Sequence, residues 1–264
     1  VREGDLDGLK LDFIDSFHVG SDDRAIAENY AGRDIHSLPE AVDVLLSGII
    51  RRLREIKPEI MIEFRQSYIG PAIRKFGNIF RAADCAFDML QNRVRTLDLR
   101  LLSGNTAVHS DMLIWSKEET PEVAALQILN VIFSTPQISC MLTELPSSHL
   151  RMLAFWMSFC MRHRKTLQES KLCPEHPEHS YPVVTAESAE ETITALYETD
   201  RVVRLNASHR HIVLNATHAP ELLIETPRPR KCIVFNTFGE EVLRCEVSGL
   251  ARVAVPASGF AEFE

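Results

Sequence analysis

The sequence predicts an α/β chain in two parts: the later portion of a (β/α)₈ TIM barrel over residues 1–170 and a small antiparallel β-sandwich domain over 183–264, joined by a linker at 171–182. Three observations predict it. In the first two thirds, apolar runs of strand length alternate with longer runs of helical period, the pattern of βαβ units and a parallel sheet. Polar residues gather at the C-terminal end of strand after strand, the edge on which barrels and doubly wound sheets build their sites. Beyond about residue 180 the chain changes to short alternating runs punctuated by Gly, Pro, Asn and Thr, as antiparallel strands are.

The first strand lies in "DGLKLDFIDS" (7–16), where Leu9, Leu11 and Phe13 share one face and Lys10 and Asp12 the other. Asp15 falls past the strand end, so Asp12 is the carboxylate that shares a face with Lys10. Ser37, with Pro39 in the first turn and Glu40 three residues on, reads as a capping box. Val42, Leu45, Leu46, Ile49, Ile50 and Leu53 then recur at helical spacing. "EIMIEFRQ" (59–66) follows Pro58 as a strand, and "NIFRAAD" (78–84) is the next, followed by a helix in "FDMLQNRVRTLDLRLL". "TAVHSDMLIW" (106–115) is a strand; Thr120 and Pro121 open the helix "PEVAALQILNVIF", and "QISCML" (137–142) is a further strand. Ser147 or Ser148 opens "HLRMLAFWMSFCMRH", with Leu150, Leu153, Met157 and Met161 as its apolar stripe.

The Pro- and His-rich "KLCPEHPEHSYP" (171–182) reads as the linker, and "DRVVRLN", "HIVLNAT", "ELLIET", "KCIVFNT", "EVLRCEV" and "ARVAVPA" as the strands of the second domain. No G-x-G-x-x-G or Walker motif marks an open dinucleotide- or phosphate-binding sheet, which favours the barrel. Only about five of eight barrel strands are present. With a strand beginning almost at once and no initiator methionine, the chain is expected to start inside a longer protein.

Composition narrows the partners. A net charge of −8 opposes general binding to nucleic acid or an anionic membrane surface, and no apolar run is long enough to span a bilayer. Six scattered cysteines without C-x-x-C spacing argue for reduced thiols and a cytoplasmic setting. No cofactor and no metal is expected: His109 with Asp111 is the nearest thing to a metal pair, without H-x-H or H-E-x-x-H spacing. Nothing in the composition opposes a homo-oligomer.

The strand-end groups are Lys10 and Asp12; Glu63, Arg65 and Gln66; Arg81 and Asp84; His109, Asp111 and Trp115; Thr143 and Glu144. Two carboxylates on different strands with cations beside them suit glycoside hydrolysis, which makes an oligosaccharide or glycoside the expected substrate. Lys10 beside Asp12 favours an ionised nucleophile, and the alanines before Asp84 suggest an apolar setting fit for a general acid. Arg81, His109 and Asp111 are placed to contact substrate. Cys85 reads as a packing residue, and Trp115 and Tyr68 are open between core and sugar stacking.

These residues resemble a family. "LKLDFID" is similar to the Lys-Trp-Asp nucleophile strand of glycoside hydrolase family 36 and its clan D relatives, with Leu11 where tryptophan is usual. "FRAADCAFDMLQNRVRTLDLRLLSGNTAVHSDMLIW" resembles the later barrel of melibiase-type α-galactosidases. The resemblance implies Asp12 as nucleophile, Lys10 as a contact to sugar hydroxyls and Asp84 as acid/base. "EFRQSYIGPAIRKFGN" stands where the family carries Cys-x-x-Gly-Gly-Gly-Arg, so Arg65, Gln66 and Tyr68 are the candidate replacements. The expected activity is a retaining α-galactosidase-like hydrolase. Its alternatives are transfer of the glycosyl group to a sugar acceptor and a non-catalytic carbohydrate-binding relative. An incomplete barrel has two open sheet edges, so the segment alone is expected to be inactive or poorly soluble.

Overall fold

The computed structural model describes residues 1, 3–14, 16–20, 32–65, 70, 72–206 and 210–264. Asp15, Gln66 and Tyr68 lie outside the described residues. Five strands, β1 (Gly8–Asp12), β2 (Met61–Arg65), β3 (Ile79–Arg81), β4 (Ala107–Leu113) and β5 (Thr135–Ile138), form one parallel sheet in sequence order. A doubly wound sheet reverses its strand order at a switch point; this one does not, so it winds in one direction as a barrel does. The crossovers are α1 (Leu38–Ile56), a 3₁₀ turn at Ile73–Lys75, α2 (Met89–Leu102) and α3 (Pro121–Asn130), and α4 (Ser147–Arg162) leads out of β5.

Alternation along the strands sorts the sheet into two faces. Ile62, Phe64, Phe80 and Val108 point outward and bury against Leu46 and Ile50 of α1 and Leu99 of α2. The in-register partners Lys10 and Glu63, Asp12 and Arg65, and Arg81 and His109 share the other face. Gly8 permits the close approach of β1 to β2, since a Cβ there would sit 2.7 Å from the Met61 carbonyl oxygen.

Local signals hold where the backbone needs a partner and fail where it finds one elsewhere. Thr120 accepts from the Val123 N–H at 3.4 Å, and Asp88 caps α2 through the Gln91 N–H at 2.9 Å. Ser37 stands at the start of α1, but its side chain makes no capping bond, so the predicted capping box does not form. β3 ends three residues before Asp84, which therefore sits in a loop. β5 runs over Thr135–Ile138, earlier than the predicted 137–142; Pro136 fits there because β5 is the sheet's edge strand in this structure and needs no donor on one side. The stripe predicted for α4 is rotated: Met152, Leu153, Trp156, Phe159 and Cys160 are buried, while Leu150 and Met161 are exposed.

The predicted linker contains a strand. β6 (Lys171–Glu175) pairs antiparallel with β7 (Val183–Glu187) and begins the second sheet, completed by β8 (Glu191–Leu196), β9 (Val202–Arg204), β10 (Arg210–Asn215), β11 (Leu222–Phe235), β12 (Glu241–Val253) and β13 (Phe260–Phe263). Its hydrogen-bonded path is continuous, β12-β11-β13-β10-β8-β7-β6 with β9 beside β11, where two separate layers were expected. Two pairs, β8 with β10 and β9 with β11, are parallel. "ELLIET" and "KCIVFNT" fuse into β11, and "EVLRCEV" and "ARVAVPA" into β12, with a register shift between Thr226 and Arg230. Such a bulge bends the strand, and Val183, Leu196, Val213, Ala261 and Phe263 on one face meet Val203, Ile224 and Val253 in a closed core.

Neighbouring residues on the other face, Val184, Ala195, Ile212, Leu214 and Phe260, pack on α3 and α4. Phe260 stacks on Phe155 at a ring separation of 5.8 Å and meets Trp156 and Phe159 edge-on. Gly239, at φ 75°, takes the left-handed turn that brings the backbone against Phe155. Arg93 of α2 links the two sheets: it donates to the Ser180 carbonyl at 3.2 Å and lies 4.1 Å from the Tyr197 ring centre.

Candidate functional site

The C-terminal ends of β1 to β4 carry a connected row of charge. Parallel register puts Asp12 level with Arg65, and Arg65 Nε lies 3.2 Å from Asp12 Oδ1. The same guanidinium reaches across to the loop after β3, where its Nη1 donates to Asp84 Oδ1 at 2.8 Å. Arg81 Nη2 approaches that Asp84 oxygen from the other side at 3.1 Å. Beneath, Arg81 pairs with Asp111, whose second oxygen accepts from the Cys85 N–H. Both Arg81 and Asp111 are sealed from solvent.

A second chain of contacts runs beside the first. Lys10 Nζ lies 3.4 Å from Glu63 Oε1, and Glu63 Oε2 is 3.0 Å from His109 Nδ1. The Gln137 side-chain amide stands 3.2 Å from that same ring nitrogen. The His109 hydrogen bond holds the Glu63 carboxyl below its ordinary range against the opposing effect of burial, and Lys10 adds to it. At the end of β1, Phe13 adopts a left-handed φ of 55°, and its N–H donates to Asp12 Oδ1 at 2.9 Å. A bulky residue in that region is strained, so the Asp12 carboxylate is braced by the backbone as well as by Arg65.

The structure thus brings Lys10, Asp12, Arg65, Arg81, Asp84, His109 and Asp111 to one end of one sheet. It rearranges their partnerships. Lys10 pairs with Glu63, and the cation on Asp12 is Arg65. Asp84 has a side chain 66% exposed between two guanidiniums, a cationic and wet setting where an apolar one was expected. Trp115 belongs to the core: it is buried and donates from Nε1 to His149 Nδ1 at 3.2 Å. Thr143 and Glu144 fall on an exposed 3₁₀ turn away from any strand end.

Glu63 is the residue that sequence reasoning placed at a strand end without giving it a role; its signal was the two-residue spacing from Arg65, which puts both on one face. Arg95 carried no signal. It projects from α2 and donates to the carbonyls of Ala83 and Asp84 at 3.1 and 2.8 Å, fixing the loop that presents Asp84. Burial pushes the Cys85 thiol up to about 11, which makes it a packing group and a poor nucleophile.

A cavity of about 660 Å³ opens at the opposite end of the sheet, lined by Gly104, Thr106, Ser134, Arg164 and Gln168. Among the described residues no three His, Cys, Asp or Glu side chains are gathered as a metal cage would require. No helix among them is long and apolar enough to cross a membrane.

No family model matches the chain, and no curated protein does. Solved structures do. Over all of this chain and 59% of the other, it is similar to the wild-type GH27 β-L-arabinopyranosidase Abp from Geobacillus stearothermophilus, with a TM-score of 0.53 at 13% identity. A variant of that enzyme in complex with arabinose gives 0.49 at 11% identity over 83% and 53% of the two chains. The galactosidase domain of the α-galactosidase-sucrose kinase AgaSK gives 0.49 at 10% identity over 100% and 35%. The chain therefore spans little more than half the length of the first of these proteins, and it shares with it a TIM-barrel-like mixed α/β fold.

Proposed function

We propose that this chain is part of a retaining glycoside hydrolase that releases terminal α-galactosyl groups, with Asp12 as nucleophile and Asp84 as acid/base. The observation that carries it is the single guanidinium of Arg65 in contact with both carboxylates. Two acids from elements far apart in sequence converge on one guanidinium. The planar guanidinium keeps the two contacting oxygens within about 8 Å of each other. That range takes in the ~5–5.5 Å separation of a double displacement and also the shorter part of the ~6.5–9.5 Å of inversion, so the configuration of the first product decides between them.

In the proposed reaction Asp12 attacks the anomeric carbon while Asp84 gives its proton to the departing oxygen, leaving a glycosyl ester on Asp12. Asp84 then takes a proton from water as the water oxygen displaces Asp12. Arg65 gives way as the sugar enters, because a carboxylate held by a guanidinium is a poor nucleophile and a poor proton donor. Arg81 stays beneath, fixed by Asp111, and Asp84 exchanges its Arg81 contact for the glycosidic oxygen that it protonates. Lys10 and Glu63 offer a donor and an acceptor to sugar hydroxyls, with His109 and Gln137 orienting Glu63.

The test is turnover of an aryl α-galactoside by the intact protein, with aryl β-L-arabinopyranoside as second substrate because a structure of similar fold carries that activity in its name. Asp12→Ala is expected to lower kcat roughly a thousandfold or more. Proton NMR should show that the first-formed sugar keeps its anomeric configuration. An inverted first product, or near-normal turnover by Asp12→Ala, overturns the nucleophile assignment. Sugar binding without turnover by the unsubstituted protein points to a carbohydrate-binding role instead, and a new glycoside formed only with added acceptor points to transfer.

A further inference from the structure

Apart from the charged row, the second sheet holds two cysteines that its register sets face to face. Cys232 of β11 is the direct antiparallel partner of Cys245 of β12. Directly opposed residues in an antiparallel pair have Cα atoms about 4.5–5.5 Å apart, inside the ~4.4–6.8 Å that a disulfide spans. Direction agrees with distance: Cys232 is buried in the closed core of the sheet, and Cys245 packs against that core from the same side. Both are free thiols.

We propose that Cys232 and Cys245 are a disulfide site, closed by thiol–disulfide exchange with a small-molecule disulfide such as oxidised glutathione. Cys245, half-buried, is the entry point, and Cys232, fully buried, is the resolving thiol. The Cys245 thiolate attacks one sulfur of the oxidant, forming a mixed disulfide and expelling one glutathione thiolate. The Cys232 sulfur then attacks the Cys245 sulfur, the second glutathione leaves as thiolate, and the two cysteine protons pass to solvent. The protein loses two electrons, and the oxidant is reduced to two thiols. The order follows from burial, which together with Cys245 pushes the Cys232 thiol up to about 12. A group so rarely ionised attacks only when a sulfur is held beside it.

The location gives the bond a consequence. β12 is an edge strand with β11 as its one neighbour. A cross-link at 232–245 closes a loop of 14 residues, 232 to 245 inclusive, in the unfolded chain and pins that edge. β11 leads directly from Cys232 to Phe235, which stacks on Phe260 at 4.7 Å and so joins the aromatic cluster of α4. Oxidation therefore stiffens a strand on which the contact between the two sheets depends.

The test titrates the intact protein with mixtures of oxidised and reduced glutathione, blocks remaining thiols under denaturing conditions and maps peptides by mass spectrometry. The expected result is a peptide pair joined through Cys232 and Cys245, two hydrogen masses lighter than the separate thiols. It should come with a Tm rise of roughly 5 °C or more that a dithiol reductant reverses. Cys245→Ser should lose both the cross-link and the Tm rise, while Cys173→Ser keeps them. Free Cys232 and Cys245 at oxidising ratios, glutathione remaining on Cys245, or a bond from either to a different cysteine would overturn the proposal.

Discussion

In the parallel sheet Lys10, Asp12, Glu63, Arg65 and His109 share one face, each with a charged partner and each side chain at least partly exposed. In the second sheet a polar cluster around His211 is shut away. His211 is buried, its Nε2 is 2.9 Å from Thr194 Oγ1, and Thr194 in turn meets Thr185 at 3.0 Å. Among the described residues the Nδ1 of His211 and the hydroxyl of Thr192 have no hydrogen-bond partner. The first arrangement can exchange its partners for those of a ligand, because water already screens the charges. The second stands or falls with the fold. Arg81 and Asp111 are the exception that joins the two regimes, a sealed pair directly beneath the open row.

That contrast can be broken by substitution. Arg81→Met leaves the Asp111 carboxylate buried without its cation and is expected to cost about 3–5 kcal/mol in urea denaturation. A loss below 1 kcal/mol would mean that the pair is reached by solvent. Next in size is the acid sensitivity of His211, whose burial lowers its pKa from 6.5 to about 4. The unfolded imidazole binds a proton below about 6.5 and the folded one does not until about 4, so protonation favours the unfolded chain. Stability is full above that window and falls across it, by about 3 kcal/mol. Glu63 and Glu191, both held low, act in the same sense over a lower window: they stabilise above the ordinary carboxylate range and lose that contribution as pH falls through their own, lower, folded values. His211→Gln should flatten the slope between pH 6.5 and 4.5; an unchanged slope refutes the assignment.

Arg65→Met sharpens the comparison from the open side. The guanidinium is partly exposed, so its loss is expected to cost under about 1 kcal/mol of stability while altering KM and kcat for the aryl glycoside severalfold. A destabilisation equal to that of Arg81→Met would show that the row is a structural network. Smallest of all, Arg204→Ala removes an exposed ion pair to Glu225 at 2.8 Å, and the urea midpoint should not move measurably.

What could be read from the residues in order was whatever one strand or one helix decides alone. The alternation of Leu9, Lys10, Leu11 and Asp12 follows from backbone geometry, and it put the charges on the correct face before any partner was known. The Thr120 cap and the succession of strands and helices through α4 are local in the same sense. What only the tertiary structure decided is who meets whom. Lys10 went to Glu63 because the register of β1 on β2 sets those two side by side, 53 positions apart, and Asp12 received Arg65 for the same reason. Asp84 lost its apolar setting because two arginines from neighbouring strands converge on it. Residues 171–175 became a strand because β7 supplied hydrogen bonds that no linker composition announces. Cys232 and Cys245 carry no motif, yet a hairpin brings them into opposition. Periodicity is a property of one segment and is written in it; register is a property of two, and it is settled only when their faces, lengths and bulges are matched in the folded sheet.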